Sequence, residues 1–207
     1  YSITEALELT KKLSKTKFDS TIEVHLIMGI DPRKGDQQVR GAISLPHGTG
    51  RQVRVAAFVS SDKEAACKAA GADIVGGDEL LAEIAKTEKT DFQVAVAEPA
   101  MMKNLAKIAK ILGTRGLMPS PKNETVSTNP AKAVEELKKG KVSFKNDDTA
   151  NLHAIIGKTS FETAKLAENF QTFIDAVKKT KPASAKGSYI KKAVLSSTMG
   201  PGIKVSL

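Results

Sequence analysis

Cysteine is nearly missing: Cys67 stands alone among 207 residues, so neither a disulfide framework nor a thiolate cluster for zinc can be built. Such usage fits a reducing compartment. Tryptophan is absent and aromatics make up only 4% of the residues, which disfavours a platform on which bases stack in succession. No apolar run approaches the roughly 20 residues of a membrane-spanning helix, and no charged-then-apolar leader opens the sequence. A soluble, non-secreted protein with no membrane partner is expected. The histidines His25, His47 and His153 lie far apart without metal-ligand spacing, so no metal and no cofactor are expected. The chain opens on Tyr1 rather than Met, so a preceding N-terminal piece is expected.

What is in excess is positive charge. The formal net charge is +9, which suits an anionic partner, nucleic acid first among them. Residues 1–47 carry a net of +1, residues 48–140 carry +2 and residues 141–207 carry +6. Two thirds of the excess therefore lies in the last third of the chain, the better candidate for a surface facing phosphates.

Secondary-structure signals change character at about the same places. In the middle, the sequence predicts a strand over 51–60, a helix over 62–70 and a short strand over 72–75. A helix over 78–86 with Asp78 as N-cap follows, then a buried-type strand over 92–97. The spacing of Met101, Leu105, Ile108 and Leu112 predicts one helix over 100–112. A last helix runs over 130–139, with Asn129 as N-cap, Pro130 in its first turn and Gly140 beyond it. Strand and helix in alternation imply a parallel sheet in an α/β domain.

The flanks read differently. Ser2 and Glu5 form a capping-box pair for a helix to about Lys15, followed by strands over 22–28 and 37–45 around the turn Asp31-Pro32-Arg33-Lys34-Gly35. After residue 140, strands over 141–145 and 152–156 predict a hairpin around Asn146-Asp147-Asp148. A long helix over 160–178 follows, with Leu166, Phe170, Ile174 and Val177 on one stripe and Thr159 and Glu162 as its capping box. Strands over 188–196 and 203–207 close the chain. Neither flank alone has enough apolar surface to fold, so the two are read as halves of one α+β domain and the middle as an insertion. The domains are thus 1–47 plus 141–207, and 48–140. Both crossings carry glycine, Gly48 and Gly50 at one and Gly140 at the other, which suits either a hinge or simple turn and cap positions.

Enzymatic motifs fail on spacing. Leu45 to Arg51 (LPHGTGR) does not supply the four residues that a phosphate loop needs between Gly and Gly-Lys-Ser/Thr, and no Gly-x-Ser-x-Gly nucleophile elbow occurs. A nucleotide-using enzyme on the middle domain therefore lacks a site. A purely protein-binding scaffold is disfavoured by the basic C-terminal third. The sequon Asn123-Glu124-Thr125 is accidental in a chain that is not secreted.

Four stretches carry a resemblance: VRGAISLPHGTGR (Val39 to Arg51), AGADIVGGDEL (Ala70 to Leu80), LGTRGLMPSPK (Leu112 to Lys122) and SSTMGPGI (Ser196 to Ile203). With KFDSTIE (Lys17 to Glu23), IGKTSF (Ile156 to Phe161) and ENF (Glu168 to Phe170), they resemble the signatures of the ribosomal L-one family, bacterial type, in family order along nearly the whole chain. The resemblance implies an α/β protein of two domains: a split α+β sandwich domain with an antiparallel sheet, and an inserted Rossmann-like α/β domain. It implies no enzymatic activity. The function implied is that of a large-subunit constituent on the cytoplasmic ribosome, monomeric when free. Such a protein binds large-subunit (23S) rRNA to form the mobile stalk near the tRNA exit site. It contacts deacylated tRNA during release, and represses translation by binding its own-operon mRNA.

By position, the resemblance assigns RNA contact to Lys17, Phe18 and Thr21, and to Thr198, Met199 and Gly200. Short hydroxyls and bare backbone suit the shallow minor groove and the 2′-hydroxyls of RNA, Phe18 and Met199 would pack on ribose or bases, and Lys17 would neutralise a phosphate. From residue type alone Phe18 and Met199 belong in a core. Lys145, Asn146, His153 and Lys158 are further candidates if the 141–156 hairpin lies on the same sheet. Three positions depart from the family pattern: Asp148 where a basic residue is common, Arg51 for the usual Lys, and Asn123-Glu124 where Gly is usual. The first weakens the hairpin as a phosphate clamp. The loop holding Arg115 is open to two readings, a structural cap or a second RNA or tRNA contact.

Overall fold

A computed structural model describes residues 1–206. In chain order the first elements are α1 (Ile3–Leu13), β1 (Thr21–Met28), β2 (Arg40–Ser44), β3 (Val55–Phe58), α2 (Ser61–Ala69), β4 (Ile74–Gly76), α3 (Asp78–Thr87) and β5 (Val94–Ala97). They are followed by α4 (Met102–Leu105), α5 (Ala109–Thr114), α6 (Pro130–Lys138), β6 (Lys141–Lys145), β7 (Asn151–Lys158), α7 (Thr163–Lys179), β8 (Ile190–Ser197) and β9 (Ile203–Val205). The chain is α/β and divides into two compact units: Tyr1–Arg51 with the segment from Gly140 onward, and Gln52–Lys139.

The discontinuous unit holds an antiparallel sheet of order β7-β1-β8-β9 and a two-stranded ladder β2-β6. Alternation in β1 sends Ile22, Val24, Leu26 and Met28 inward, where they meet Ala6 and Leu7 of α1 and Leu166, Phe170, Ile174 and Val177 of α7. Each such side chain taken from water stabilises the fold by about 1.5–3 kcal/mol, so this stripe is the main force docking α7. The Ser2–Glu5 capping box is formed in both directions, and Lys11 and Lys12 sit in the last turn of α1, where they complement the helix dipole. Both helices lie against one face of the four-stranded sheet, and Thr21, Glu23, His25 and Ile27 point to the other.

The continuous unit is built on a parallel sheet of order β4-β3-β5. Every residue of β3 is buried, because the sheet is covered on both sides. Val55 and Ala57 join Cys67, Val134 and Leu137 of α2 and α6; Ala56 and Phe58 join Leu81, Ile84, Leu105, Ile108 and Leu112.

Several sequence expectations are corrected. β1 and β2 do not pair with each other; β2 pairs with β6, so the strands flanking the insertion form the ladder, Ser44 opposite Lys141 and Arg40 opposite Lys145. The predicted 141–156 hairpin is likewise absent. β7 pairs with β1, and the single bridge Asn146–Leu152 marks the corner where the chain leaves one ladder for the other sheet. The stripe of Met101, Leu105, Ile108 and Leu112 is buried as its spacing predicts, but the helix breaks into 3-10 turns and the short α4 and α5. Asp78 is the first helical residue of α3, and Gly77 is its cap. The helix α7 begins at Thr163 with no side-chain cap, because Thr159 turns away to bond Asp19. In the predicted strand 203–207, Leu207 lies outside the described residues. Glu124, at the position where the resemblance leads one to expect glycine, has φ 56, the left-handed conformation that glycine adopts without steric cost.

Two polar devices hold the discontinuous unit together. Asn169, fully buried in α7, accepts from the His47 amide at 3.1 Å and donates to the carbonyls of Gly48 (3.0 Å) and Ile156 (2.8 Å). At the corner after β6, the Asp147 carboxylate accepts from the amides of Thr149 and Asn151 and from the Thr149 hydroxyl, at 2.6–2.9 Å. Partial desolvation works to raise its pKa, but these bonds outweigh it and pull the carboxyl from 3.8 down to about 2.

Asn169→Leu leaves one amide and two carbonyls without partners, so chemical denaturation is expected to show a loss of roughly 3 kcal/mol. Asp147→Asn tests the corner. A carboxyl whose pKa is depressed on folding contributes stability above its unfolded value near 4, and that contribution disappears as pH falls through about 2. For a side chain 38% exposed, solvent screening reduces the effect to about 1 kcal/mol. The parent is therefore expected to melt above the variant at pH 7 and the two curves to converge between about pH 4 and pH 2; a gap that persists at pH 2 contradicts this account.

Candidate nucleic-acid interface

β1 starts where β8 ends, since the two are antiparallel with Ile22 opposite Ser197. Their loops meet there. The Thr21 amide donates to the Thr198 hydroxyl (3.0 Å), that hydroxyl donates back to the Thr21 carbonyl (3.3 Å), and the Thr198 amide donates to the same carbonyl at 3.0 Å. The loop Lys17–Ser20 and the turn Thr198–Gly200 are thereby joined at one end of the sheet. Phe18 is 56% exposed and Met199 77%, so the burial expected from their residue types does not occur. Gly200 closes the turn through its amide on the Ser197 carbonyl (2.9 Å), and a Cβ there would lie 2.2 Å from the Ser197 hydroxyl. Only glycine fits.

Lys158 joins this group. It pairs with Thr21 across the β1–β7 ladder, and its ammonium donates to the Asp19 carbonyl at 3.1 Å. Lys17 is exposed. His153 lies further along the same open face, opposite His25, with Nδ1 to Nδ1 at 2.7 Å; one ring must donate and the other accept. His25 Nε2 meets the Ser196 hydroxyl at 2.9 Å. Desolvation pushes His25 below the ordinary histidine range, His153 adds to this, and Glu23, 3.9 Å away, opposes it.

Two candidates do not join. Asn146 is buried: its Oδ1 accepts from the Val39 amide at 2.8 Å and its Nδ2 donates to the Asp147 carbonyl, so it stitches the corner instead of facing a ligand. Lys145 is exposed, but on the β2–β6 ladder opposite Arg40, because the hairpin that would have brought it to this face does not form. Sequence reasoning missed Asp19, Glu23, His25 and Ser196. The alternation of Thr21, Glu23 and His25 along β1 carried the signal for two of them.

The three expected hinge glycines all have left-handed φ: 64° at Gly48, 70° at Gly50 and 103° at Gly140. A Cβ on Gly140 would sit 2.5 Å from the Gly48 Cα, and one on Gly50 would sit 2.8 Å from Lys158. Close approach of two backbones thus accounts for Gly48 and Gly140, and left-handed φ with the Lys158 and Phe161 side chains alongside accounts for Gly50. Arg115 caps α5 and its guanidinium donates to Thr90, the structural reading of its loop. In the continuous unit, the crevice at the carboxyl ends of β3 and β4 is lined by Glu64, Asp78, Glu79 and Glu83, the wrong sign for a nucleotide phosphate. Among the described residues no helix is long and apolar enough to cross a membrane, and no group of three or more His, Cys, Asp or Glu is placed to hold a metal.

Comparison with known proteins shows the family. Residues 10–201 match the Ribosomal protein L1p/L10e family. The chain is 53% identical over 206 residues to the large ribosomal subunit protein uL1 of Kitasatospora aureofaciens, covering 99% of this chain and 85% of that one. It is 54% identical over 205 residues to the protein of the same name from Kosmotoga olearia, covering 99% and 88%. With a family match across most of its length and relatives at this identity, the chain belongs to the Ribosomal protein L1p/L10e family and is a ribosomal protein, not an enzyme.

Proposed function

We propose that the protein is a structural constituent of the large ribosomal subunit of the cytoplasmic ribosome, and that it binds 23S rRNA through the junction of Lys17–Thr21 with Thr198–Gly200. The observation that carries this reading is the Thr21–Thr198 junction, which fixes two exposed apolar side chains, Phe18 and Met199, beside backbone and hydroxyl groups at one end of an open sheet. A surface that must fit ribose and groove needs such groups; a surface that only attracts phosphate does not. Lys17, Lys158 and His153 complete the contact. Lys145 and Asn146 do not take part, for the reasons given by their ladder and their burial.

The bound rRNA forms the mobile stalk near the tRNA exit site, and the protein takes part in release of deacylated tRNA. A similar fold in its own-operon mRNA is bound in the same way, which represses translation; the free protein is monomeric. In this reading the discontinuous unit is a split α+β sandwich that carries the RNA contact, and the continuous unit is an inserted Rossmann-like domain. Gly48, Gly50 and Gly140 are the hinge in this reading, each in the left-handed conformation that glycine adopts without steric cost.

The test is binding of the free protein to the helical-junction fragment of large-subunit rRNA. Tight binding that falls steeply as salt rises is expected, and an equal affinity for an unrelated hairpin would sink the proposal. Met199→Ala is expected to weaken binding roughly tenfold with an unchanged melting temperature, since Met199 is exposed and truncation opens no cavity. Thr198→Val is expected to lower both, because the same hydroxyl ties the two segments together.

A further inference from the structure

Asp19 places a carboxylate in the loop between Lys17 and Thr21 of the candidate interface, on a protein of net charge +9. Beside a polyanion it is electrostatically unfavourable, so its presence needs another cause. The geometry supplies one. Its Oδ1 accepts from the Thr159 hydroxyl (2.9 Å) and the Ser160 amide (3.0 Å), and its Oδ2 accepts from the Ser160 hydroxyl (2.9 Å). Its carbonyl accepts from the Lys158 ammonium (3.1 Å), and the neighbouring Ser20 carbonyl accepts from the Thr159 amide at 2.9 Å. Within the loop, the Thr16 hydroxyl meets both the Phe18 carbonyl, at 3.0 Å, and the Ser20 hydroxyl.

The loop that exposes Phe18 is therefore bolted to the turn after β7 by partners about 140 residues away. Partial desolvation works to raise the Asp19 carboxyl, but the bonds from Ser160 and Thr159 and the nearby Lys158 charge hold it below the ordinary aspartate value. Charge-assisted bonds of this kind are stronger than neutral ones, which suits a loop that must hold one shape while presenting an apolar side chain to water.

We propose that Asp19 is a positioning residue for RNA binding: it touches no RNA itself but holds the Lys17–Ser20 loop, and Phe18 with it, in the binding shape before the ligand arrives. The proposal rests on the RNA-binding reading above. A loop ordered in advance does not lose that freedom on binding, so the affinity depends on the bolt although the bolt carries the repelling charge.

The opposed signs make the test decisive. Asp19→Asn keeps the shape and removes one negative charge. If charge alone mattered, the variant would bind the rRNA junction fragment severalfold tighter. Positioning predicts the reverse, binding roughly tenfold weaker, because a neutral amide cannot accept three bonds with both of its heavy atoms. The slope of affinity against salt is expected to stay unchanged, since no phosphate contact is lost. Hydrogen exchange at Ser160 and across residues 16–20 is expected to quicken in the variant. The second variant, Thr159→Val with Ser160→Ala, keeps the charge and removes donors; it is expected to weaken binding to a similar degree, and combination with Asp19→Asn to add little. Parent-like or tighter binding by Asp19→Asn, with the parent binding the fragment normally, overturns the proposal and leaves the RNA reading standing. Failure of the parent to bind overturns the reading and the proposal together.

Discussion

One buried side chain closes the split unit where the chain crosses into the insertion. An insertion of 88 residues, Gln52 to Lys139, separates the two halves of the unit, and covalent continuity cannot hold together what the insertion parts. The ladders of β1 with β7 and β8 and the shared apolar core take its place, and Asn169 adds the polar tie at the crossing. It sits on α7, in the second half, and its amide group binds His47 and Gly48, in the first, as well as Ile156 of β7. His47 repeats the bond with its ring, 2.6 Å from the Glu168 carboxylate. The β2–β6 ladder then zips the strands on either side of the crossings, and Phe144 packs edge-on against Phe173 at 5.6 Å, which joins that ladder to the same helix. Two of the signature stretches, LPHGTG and ENF, are thus the two sides of a single contact.

Docking of α7 has a second consequence. With α1 and α7 both against one face of the sheet, the other face has no helix among the described residues of this unit to cover it, and the strands answer by alternation: apolar residues inward, Thr21, Glu23, His25 and Ser196 outward. The outward side chains satisfy one another, as the His25–His153 and His25–Ser196 contacts show, so the open face stays ordered without a partner. At its end the β1–β8 register brings Thr21 to Thr198.

What could be read from the sequence was whatever is local in the chain. The capping box at Ser2 and Glu5, the Asn129 cap, the α7 stripe and the alternation of β1 each depend on neighbours within a few residues, and each was legible. Strand partners were not. The proximity of residues 141–145 to 152–156 suggested a hairpin, yet β6 pairs with a strand about 100 residues earlier, because closing the split unit is worth more than a local turn. That one change removed Lys145 from the candidate site and buried Asn146. Thr159 failed for a related reason: it is placed to cap α7, but Asp19, distant in sequence, offers its hydroxyl a charged acceptor. The exposed Phe18 and Met199 could not have been read from composition at all, since residue type argues for the core, and only the family resemblance pointed outward.

Charge tells the same story at a larger scale. The last third of the chain holds most of the positive excess, yet the candidate site lies where Lys17 and Lys158 stand among Asp19, Glu23 and a cluster of hydroxyls. Of these two cations, Lys158 has its ammonium on the backbone of the loop, so part of its role is to hold the surface together. A site designed to attract phosphate would place its carboxylates elsewhere. A site designed to fit a folded RNA needs rigid apolar and hydroxyl groups at fixed positions, and it can use a carboxylate to fix them, provided that enough donors surround it. In the proposed RNA-binding reading, the scattered lysines supply the long-range attraction and the junction of two short loops supplies the fit.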